Sequence, residues 1–434
     1  MKNTNVDFIL LFEHQARELQ ALCLLKYELE KRGYSVKILY VKSWNWRAYR
    51  SVVVVTPYLY NNKEYFEFSR FNKGNSNKII NLQWEQVFNN DEDTIKFHMP
   101  KGLAQNVVHL AWGKYNKEQL IKYGVYDSLI FVTGNINMDF CCDKLKKIFK
   151  NKLEIANIYK KYNLNNNNTW ILFISSFSYT DSFIVQMVND TSLDKKRTSS
   201  FAQFSIESQK VILDWFDRLL KSRRDIEIIY RPHPAELSNT RLKKFEQSHT
   251  NFKIISEETV QQWIRICEYS FTWFSTSIVD AFFMGKDCQI LRPIKLENSE
   301  EVSIMNNAYK ITEYNQFEKI ISGAHREFPI DACVIKKYYG EMDGMAYVRV
   351  ADVLQEIYKE PEKQIYKCIS PKYTYSIREK LYTILFEACN YVKLSKLMIG
   401  DKKKKFINTE NNIYHSRKRE KNYCKKLKQI LNEK

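Results

Sequence analysis

Several polar side chains stand directly after apolar, strand-like segments, at positions where they could do chemistry. Glu13 and His14 follow the run 6–12, and Glu85 follows the run 78–83. A carboxylate at the end of a strand can act as a general base that takes a proton from a hydroxyl group. Glu13 is the first candidate for this role and Glu85 the second. In the rival interpretation, Glu13, His14, Arg17 and Glu18 form a capping and salt-bridge set at the start of the next helix.

A rigid basic loop stands in the second half of the chain. The strand-like run 226–230 leads into Arg231-Pro232-His233-Pro234, in which two prolines restrict the backbone. Arg231 offers a planar, permanently charged fork for a phosphate, and His233 offers a hydrogen bond or a proton. A rigid loop without a ligand is the alternative interpretation.

Hydroxyl side chains cluster in the same half. Ser275-Thr276-Ser277 lies between a strand-like and a helix-like run, where backbone N–H groups and hydroxyls would bind an anion. An ordinary helix cap is the alternative. Asp280, one turn further on, is either an acceptor for a ribose or base group or a solvated helix acid. Ser175-Ser176 ends the first strand-like run of this half and is expected to line the same pocket.

These residues need a frame of strands and helices. Apolar strand-like runs alternate with helix-like segments through both halves, which predicts two α/β domains of Rossmann type with mainly parallel sheets. Such pairs place their active site in the cleft between them, at the carboxyl ends of strands. The expected organisation is an acceptor-side domain 1–140, a linker 141–168, a donor-binding domain 169–330, returning helices 331–365 and a basic tail 366–434.

The basic tail holds most of the excess positive charge. The whole chain carries +18, and residues 366–434 contain 18 Lys and Arg against 6 Asp and Glu. Its basic clusters include Lys402, Lys403, Lys404 and Lys405, and Arg417, Lys418 and Arg419. The segment 380–399 has apolar residues at helical spacing, which is typical of a helix on an anionic membrane surface. A solvated or protein-contacting helix is the alternative, and nucleic acid is not expected because no base-binding module accompanies the charge.

Composition and missing motifs exclude several protein classes. With 434 residues, 44% of them hydrophobic, the chain is expected to fold into two or three globular domains. No apolar run approaches the roughly 18–20 residues of a membrane span, and no secretory signal is visible, so a cytoplasmic location with reduced cysteines is expected. Glycine-rich dinucleotide, Walker and His-Glu-x-x-His motifs are absent, which argues against a dehydrogenase, an NTPase and a zinc protease. Asp91-Glu92-Asp93 is interpreted as a solvated charge run, and no metal is expected.

The basic loop and the hydroxyl cluster together resemble a known family. The segments 230–234 and 275–281, with Gly285, are similar to the donor-binding half of bacterial GT-B glycosyltransferases of surface polysaccharides. In the first half, the segments 12–19, 83–86, 109–113 and 132–139 resemble surface carbohydrate biosynthesis proteins. The pattern is similar to transferases that use CMP-linked Kdo or sialic acids, and to CDP-glycerol glycerophosphotransferases. The resemblance covers residues 6–358 and leaves the tail outside.

The resemblance implies a metal-independent glycosyltransferase without a cofactor, in which a nucleotide-activated sugar is the donor. A CMP-linked Kdo or another nonulosonic acid would pass to a glycan or glycolipid acceptor at the inner face of the cytoplasmic membrane. His14 and Asn135 would lie on the acceptor side. The acidic-acidic-glycine motif of polysialyltransferases is missing, which disfavours polysialic acid synthesis. The alternatives are a CDP-polyol phosphotransferase and a noncatalytic polysaccharide-assembly protein.

Overall fold

The chain divides into two compact units. The computed structural model describes residues 4–41, 49–69, 71, 78–86, 90–178, 195–233, 236, 240–298, 300–361 and 401–432. Unit 1 comprises Met1–Val87, Lys96–Asp139 and Lys337–Lys434, and unit 2 comprises Phe88–Ile95 and Phe140–Lys336.

Unit 1 is built on a six-stranded sheet in which every strand pairing is parallel. Its strands are β1 (Thr4–Phe12), β2 (Val36–Tyr40), β3 (Tyr49–Thr56), β4 (Ile79–Asn81), β5 (Val108–Ala111) and β6 (Ile130–Val132), in the order β2-β1-β3-β4-β5-β6. The central strands are buried on both faces, which explains their unbroken apolar sequence.

Unit 2 is built on a second parallel sheet, of five strands. Its strands are β7 (Thr169–Ile174), β8 (Ile226–Arg231), β9 (Phe252–Ile254), β10 (Tyr269–Thr272) and β11 (Gln289–Ile290), in the order β11-β10-β7-β8-β9. Aromatic side chains dominate its core, in which Phe173, Phe216, Tyr230 and Trp273 are fully buried. The expected α/β class with two parallel sheets is therefore confirmed.

Helices connect the strands and cover the sheets. In chain order they are α1 (Gln15–Lys31), α2 (Asn62–Ser69), α3 (Glu92–Phe97), α4 (Lys114–Lys122), α5 (Ile136–Asp139), α6 (Lys152–Ile158), α7 (Lys195–Ser222), α8 (Thr240–Ser248), α9 (Val260–Ile266), α10 (Ile278–Phe283), α11 (Tyr314–Ile321), α12 (Ala332–Tyr339), α13 (Ala346–Lys359) and α14 (Asp401–Asn432). Leu19, Leu22, Leu25 and Leu29 of α1 are fully buried, and their spacing of three or four residues is that of an amphipathic helix.

Both ends of α13 are fixed by buried titratable side chains of unit 1. The Asp139 carboxylate accepts the backbone N–H groups of Ala346 at 3.1 Å and Tyr347 at 2.8 Å, so it caps the start of the helix. At the other end, the Lys78 ammonium donates to the carbonyls of Ile357, Tyr358 and Glu360. Orphan groups at helix ends need such partners.

The C-terminal helix α14 packs against α1 within unit 1. Leu427 is fully buried there, Glu420 pairs with Lys26 at 3.2 Å, and Asn432 accepts a hydrogen bond from Tyr27 at 2.8 Å. The end of the tail is therefore part of the folded unit. The predicted amphipathic segment 380–399 lies outside the described residues.

No helix in the described ranges is long and apolar enough to cross a membrane. Seven of the nine cysteines lie in those ranges, and all seven are free thiols.

Candidate active site

Each sheet has one switch point, where the strands that follow in the chain begin to add to the other side of the sheet. In unit 2, β8 and β9 extend the sheet on one side of β7, whereas β10 and β11 extend it on the other. In unit 1, β2 and β3 flank β1 in the same way. Ligands of open α/β sheets bind beside such a switch point, at the carboxyl ends of the strands. The switch points therefore lie where the loops after β7 and β10 diverge in unit 2, and those after β1 and β3 in unit 1.

Ser175 and Ser176 stand at the unit 2 switch point, directly after β7. The Ser175 hydroxyl is buried and donates to Glu236 at 2.5 Å, while it also contacts the Tyr230 hydroxyl at 2.8 Å. The Ser176 hydroxyl is buried and has no hydrogen-bond partner among the described residues. Ser176 is thus the more available of the two predicted pocket residues.

The loop after β8 brings His233 to the same edge. His233 is exposed, and its backbone N–H donates to the Glu236 carboxylate at 3.2 Å. Partial desolvation lowers the pKa of the His233 imidazole. A neutral imidazole keeps one N–H group, which can donate a hydrogen bond to a phosphate.

The Arg231 side chain was expected to bind a phosphate, but in the structure it contacts backbone carbonyls of a neighbouring loop. Its guanidinium donates to the carbonyls of Ser256 at 3.3 Å and Glu257 at 2.9 Å, which belong to the loop after β9. Strand β9 lies on the far side of β8 from β7. Burial lowers the pKa of Arg231 to about 10, against the opposing charges of Glu258 and Glu257. Arg231 therefore holds a neighbouring loop, and nothing in its contacts directs it to the switch point.

In the hydroxyl cluster after β10, Ser275-Thr276-Ser277, the groups available to a ligand are side-chain hydroxyls rather than backbone N–H groups. The backbone N–H of Ser275 bonds the Thr272 hydroxyl, that of Ser277 bonds the Ser275 hydroxyl, and those of residues 278–280 bond carbonyls of the loop. The expected anion site of free backbone N–H groups is thus largely occupied from within. Thr276 is exposed and Ser277 half-buried, so their hydroxyls are the groups that face solvent.

Asp280 is buried rather than solvated. Its carboxylate accepts a hydrogen bond from Gln261 at 2.7 Å, which links α10 to α9. Burial raises the pKa of Asp280 to about 6, against the hydrogen bond from Gln261. Both sequence interpretations, a nucleotide contact and a solvated acid, miss this packing role.

A buried ion pair supports the loop after β10. The Arg292 guanidinium donates to Glu301 at 2.6 Å and 3.1 Å, and to the Trp273 carbonyl at 2.8 Å. Both side chains are almost fully buried, and removing one partner from such a pair is strongly destabilising. The sequence analysis missed this pair because its members are separated by a loop without a recognisable motif.

In unit 1, Glu13 stands at the switch point after β1. Its carboxylate lies 3.7 Å from the His14 Nε2 atom, which is beyond hydrogen-bond distance, and its side chain is 30% exposed. The Glu13 backbone N–H donates to the buried Glu18 carboxylate at 2.7 Å, and Arg17 pairs with Glu18. The capping and salt-bridge set therefore exists with Glu18 as its buried acid, and the Glu13 carboxylate makes only the long contact to His14 within it.

Glu85, the second candidate base, is paired with an arginine. Its carboxylate accepts from the Arg17 guanidinium at 2.6 Å. Burial alone would raise the pKa of Glu85, but the hydrogen bond and charge of Arg17, with smaller effects of His98 and His14, lower it below its ordinary value. A carboxylate held in this way is a weak proton acceptor.

Two tyrosines and a histidine that the sequence analysis missed complete this edge. Tyr58 and Tyr60 follow β3, and the Tyr60 ring packs edge-to-face on His98 with centroids 5.9 Å apart. Burial, with the charge of Glu13 on Tyr58 and of Glu85 on Tyr60, raises the pKa of both phenols. They remain neutral hydrogen-bonding groups beside the carboxylates. A Tyr-x-Tyr segment directly after a strand was the available signal.

Asn135 is not brought to the same place. It follows β6, the outermost strand, which is four strands from β1 and so about 19 Å away across the sheet. Its side chain accepts the Asn137 backbone N–H at 2.9 Å and shapes the turn before α5. The acceptor-side role expected for Asn135 has no support in this geometry, whereas His14 is exposed beside Glu13.

The basic residues of the tail are placed in part. Arg417, Lys418 and Arg419 are exposed on α14. Lys402, Lys403, Lys404 and Lys405 belong to the first turns of the same helix, and their side chains lie outside the described set.

A cavity lies at the opposite edge of the unit 2 sheet. It measures about 630 Å³ and is lined by the loop 163–168, Arg224, Glu227, Thr250 and Asn251, at the amino ends of the strands. Ligands of parallel sheets bind at the carboxyl ends, so this cavity is not the candidate site. In the described ranges, no group of three or more His, Cys, Asp or Glu side chains is arranged to hold a metal ion.

Comparison with known proteins identifies the fold. No protein-family model matches the chain, and no curated protein matches its sequence. Among solved structures, a Listeria monocytogenes protein described as a putative UDP-N-acetylglucosamine 2-epimerase shares 14% identity over 82% of this chain and 98% of its own, with a TM-score of 0.52. The UDP-GlcNAc 2-epimerase of Methanocaldococcus jannaschii shares 16% identity over 81% and 100%, with a TM-score of 0.52. A further UDP-N-acetylglucosamine 2-epimerase shares 13% over 84% and 99%, again at 0.52. These are GT-B proteins, and the chain has the GT-B fold.

Proposed function

We propose that this protein is a glycosyltransferase that moves a sugar from a nucleotide-activated donor to a growing surface polysaccharide or lipopolysaccharide. The observation that carries the proposal is the position of His233, which a buried hydrogen-bond network holds at the carboxyl edge of the unit 2 sheet, next to the switch point. Proteins with the same fold act on UDP-N-acetylglucosamine, as their names state, which supports a nucleotide sugar as ligand.

The donor side of the reaction is assigned to unit 2. When the bond between the sugar and the nucleotide breaks, negative charge develops on the leaving phosphate. His233 donates a hydrogen bond to that phosphate, and the hydroxyls of Ser176, Thr276 and Ser277 are further donors. Hydrogen bonds aimed at developing charge lower the barrier more than they stabilise the ground state.

The base is assigned to Glu13 of unit 1. The acceptor hydroxyl must lose its proton as it attacks the anomeric carbon, and a partly exposed carboxylate that no arginine of the described ranges engages can take that proton. Glu85 is already engaged with Arg17 and is the weaker candidate. In a retaining enzyme, the same Glu13 carboxylate would act as the nucleophile.

The donor proposed first is a CMP-linked Kdo or another nonulosonic acid, because the sequence motifs resemble transferases of that class. The test incubates the purified protein with CMP-, CDP-, UDP- and GDP-linked donors and a glycan acceptor. Release of nucleoside monophosphate with extension of the acceptor supports the proposal. Transfer of a polyol phosphate would indicate the phosphotransferase, and epimerised sugar without transfer would indicate an epimerase. Added EDTA should leave the rate unchanged, since the proposed mechanism uses no metal.

The protein is also proposed to work on the inner face of the cytoplasmic membrane, bound through α14. In the part of this helix whose side chains are described, residues 417–432, the exposed cations are Arg417, Lys418, Arg419, Lys421, Lys425, Lys426 and Lys428. Each basic residue near an anionic bilayer contributes about 1 kcal/mol of attraction. Because Leu427 is buried against α1, the attraction is electrostatic and does not require insertion of this segment.

Vesicle binding tests the membrane proposal. Replacing Arg417, Lys418, Arg419 and Lys421 by Gln should weaken binding to phosphatidylglycerol vesicles, and salt should weaken binding of the unchanged protein. Lys243→Gln with Lys244→Gln, on the exposed face of α8, is a control that removes two positive charges elsewhere on the protein. Equal binding by all three proteins would exclude this surface.

A further inference from the structure

A buried carboxylate lies beneath the His233 loop and was not among the predicted site residues. Glu236 is 1% exposed and follows His233 by three positions. One of its oxygens accepts from Ser175 Oγ at 2.5 Å and from the His233 backbone N–H at 3.2 Å. The other accepts from the Tyr230 hydroxyl and from Gln209 Nε2 at 2.9 Å.

These four donors come from four different parts of unit 2. Ser175 follows β7, Gln209 lies on α7, Tyr230 is the penultimate residue of β8, and the His233 N–H belongs to the loop itself. Tyr230 and Gln209 are also almost fully buried, so neither exchanges its partner for bulk water. Through one carboxylate, the backbone at His233 is therefore tied to β7, β8 and α7. A buried network with every member satisfied specifies a single geometry.

We propose that Glu236 is a positioning residue: it fixes the backbone at His233, and so the imidazole, by accepting the His233 N–H while it is itself held by Ser175, Tyr230 and Gln209. This inference rests on the proposed role of His233 at the leaving phosphate. Glu236 is not a catalytic residue in this scheme, because its carboxylate is closed off from substrate.

The required property is an acceptor beneath the His233 N–H, and a glutamine can supply it. In Glu236→Gln, the new side chain can turn its carbonyl oxygen toward His233 and its amide toward Tyr230 and Gln209. The Tyr230 oxygen and a flipped Gln209 amide can both accept. Leucine has a similar size and no acceptor, and aspartate keeps the charge but is shorter by one methylene group.

The experiment compares Glu236→Gln, Glu236→Asp and Glu236→Leu with the unchanged protein. Glu236→Gln should keep kcat within about threefold, because the acceptor is retained. Glu236→Leu should lose about 10²-fold in kcat with little change in donor KM, since a small displacement of a catalytic group costs about that factor. The kcat of Glu236→Asp should lie between those of the other two variants. If Glu236→Leu does not fold, Glu236→Asp is compared with Glu236→Gln instead.

Glu227→Leu is the matched control. Glu227 is also a buried carboxylate of unit 2 and accepts the Asn165 N–H at 3.1 Å and 3.0 Å, but at the opposite edge of the sheet. The Glu227→Leu substitution should lower the melting temperature without the selective loss of kcat that is expected for Glu236→Leu. An equal loss of kcat in Glu227→Leu would overturn the proposal, as would a Glu236→Gln variant as inactive as Glu236→Leu.

A double-mutant cycle separates positioning from general support. In a His233→Ala background, Glu236→Leu should cost little further activity, because the group that it positions is gone. A full additional 10²-fold loss would overturn the proposal.

The His233 imidazole NMR signal gives a readout that does not need turnover. It should move in Glu236→Leu and Glu236→Asp and stay in place in Glu227→Leu, and an unmoved signal in all three would refute the positioning role. If no donor is turned over by the unchanged protein, the proposed function fails while this measurement still decides the role of Glu236.

Discussion

The Arg17 guanidinium donates to the Glu85 carboxylate at 2.6 Å, joining the loop after β4 to the first turn of α1. This ion pair lowers the pKa of Glu85, which makes its carboxylate a weaker proton acceptor. It distinguishes two acids that stand in equivalent positions in the sequence.

Glu13→Gln should reduce turnover by about 10²–10⁴-fold with little change in donor affinity, because the amide cannot accept the acceptor proton. Glu85→Gln should be much milder. Steady-state kinetics with a fixed donor measures both. If Glu85→Gln proves to be the inactive variant, the base is Glu85, and if both stay active, His14 becomes the next residue to test.

His233→Ala and Arg231→Ala should differ in which property they change. His233 is exposed, so its loss should reduce turnover by about 2–4 kcal/mol of transition-state stabilisation while the melting temperature stays constant. Arg231→Ala removes the guanidinium from the Ser256 and Glu257 carbonyls and should lower the melting temperature. If Arg231→Ala is inactive but melts like the unchanged protein, Arg231 binds the leaving phosphate after all.

Asp139→Asn should flatten the pH dependence of stability. Burial raises the pKa of Asp139 to about 7 from an ordinary value of 3.8, although the Tyr347 and Ala346 N–H groups oppose the shift. Between these values the folded protein holds a proton that the unfolded chain releases, so the free energy of unfolding falls as pH rises through this window. Asparagine does not titrate. Denaturant unfolding at pH 4, 5, 6 and 7 measures the two slopes, and parallel curves would contradict the assignment.

Leu427→Ala should destabilise unit 1 by about 2–5 kcal/mol, because the side chain is fully buried between α14 and α1. Lys425→Ala, on the exposed face of the same helix, is the control and should change stability little. Denaturant unfolding measures both free energies. If Leu427→Ala unfolds like the unchanged protein, α14 does not stabilise unit 1, and removal of residues 401–434 would be tolerated.

The sequence by itself determined the α/β class and identified several candidate site residues. Alternation of apolar strands with amphipathic helices is a local property, set by side-chain periods of two and 3.6 residues. Glu13 and His233 were identified as candidates for that reason, since a residue that follows a strand can be recognised without knowing the strand order.

The tertiary structure decided which of these residues meet and what state they are in. The order of the strands placed Asn135 directly after the outermost strand. Packing of α10 on α9 buried Asp280, and the approach of two loops paired Glu85 with Arg17 across 68 residues. The hydrogen bonds to Glu236 join segments that are far apart in the chain. The packing of α14 on α1 does the same. Local sequence determines where a strand runs and which of its side chains share a face. The burial of a side chain, its pKa and its hydrogen-bond partners depend on which strands and helices pack together. Those contacts form only in the folded chain.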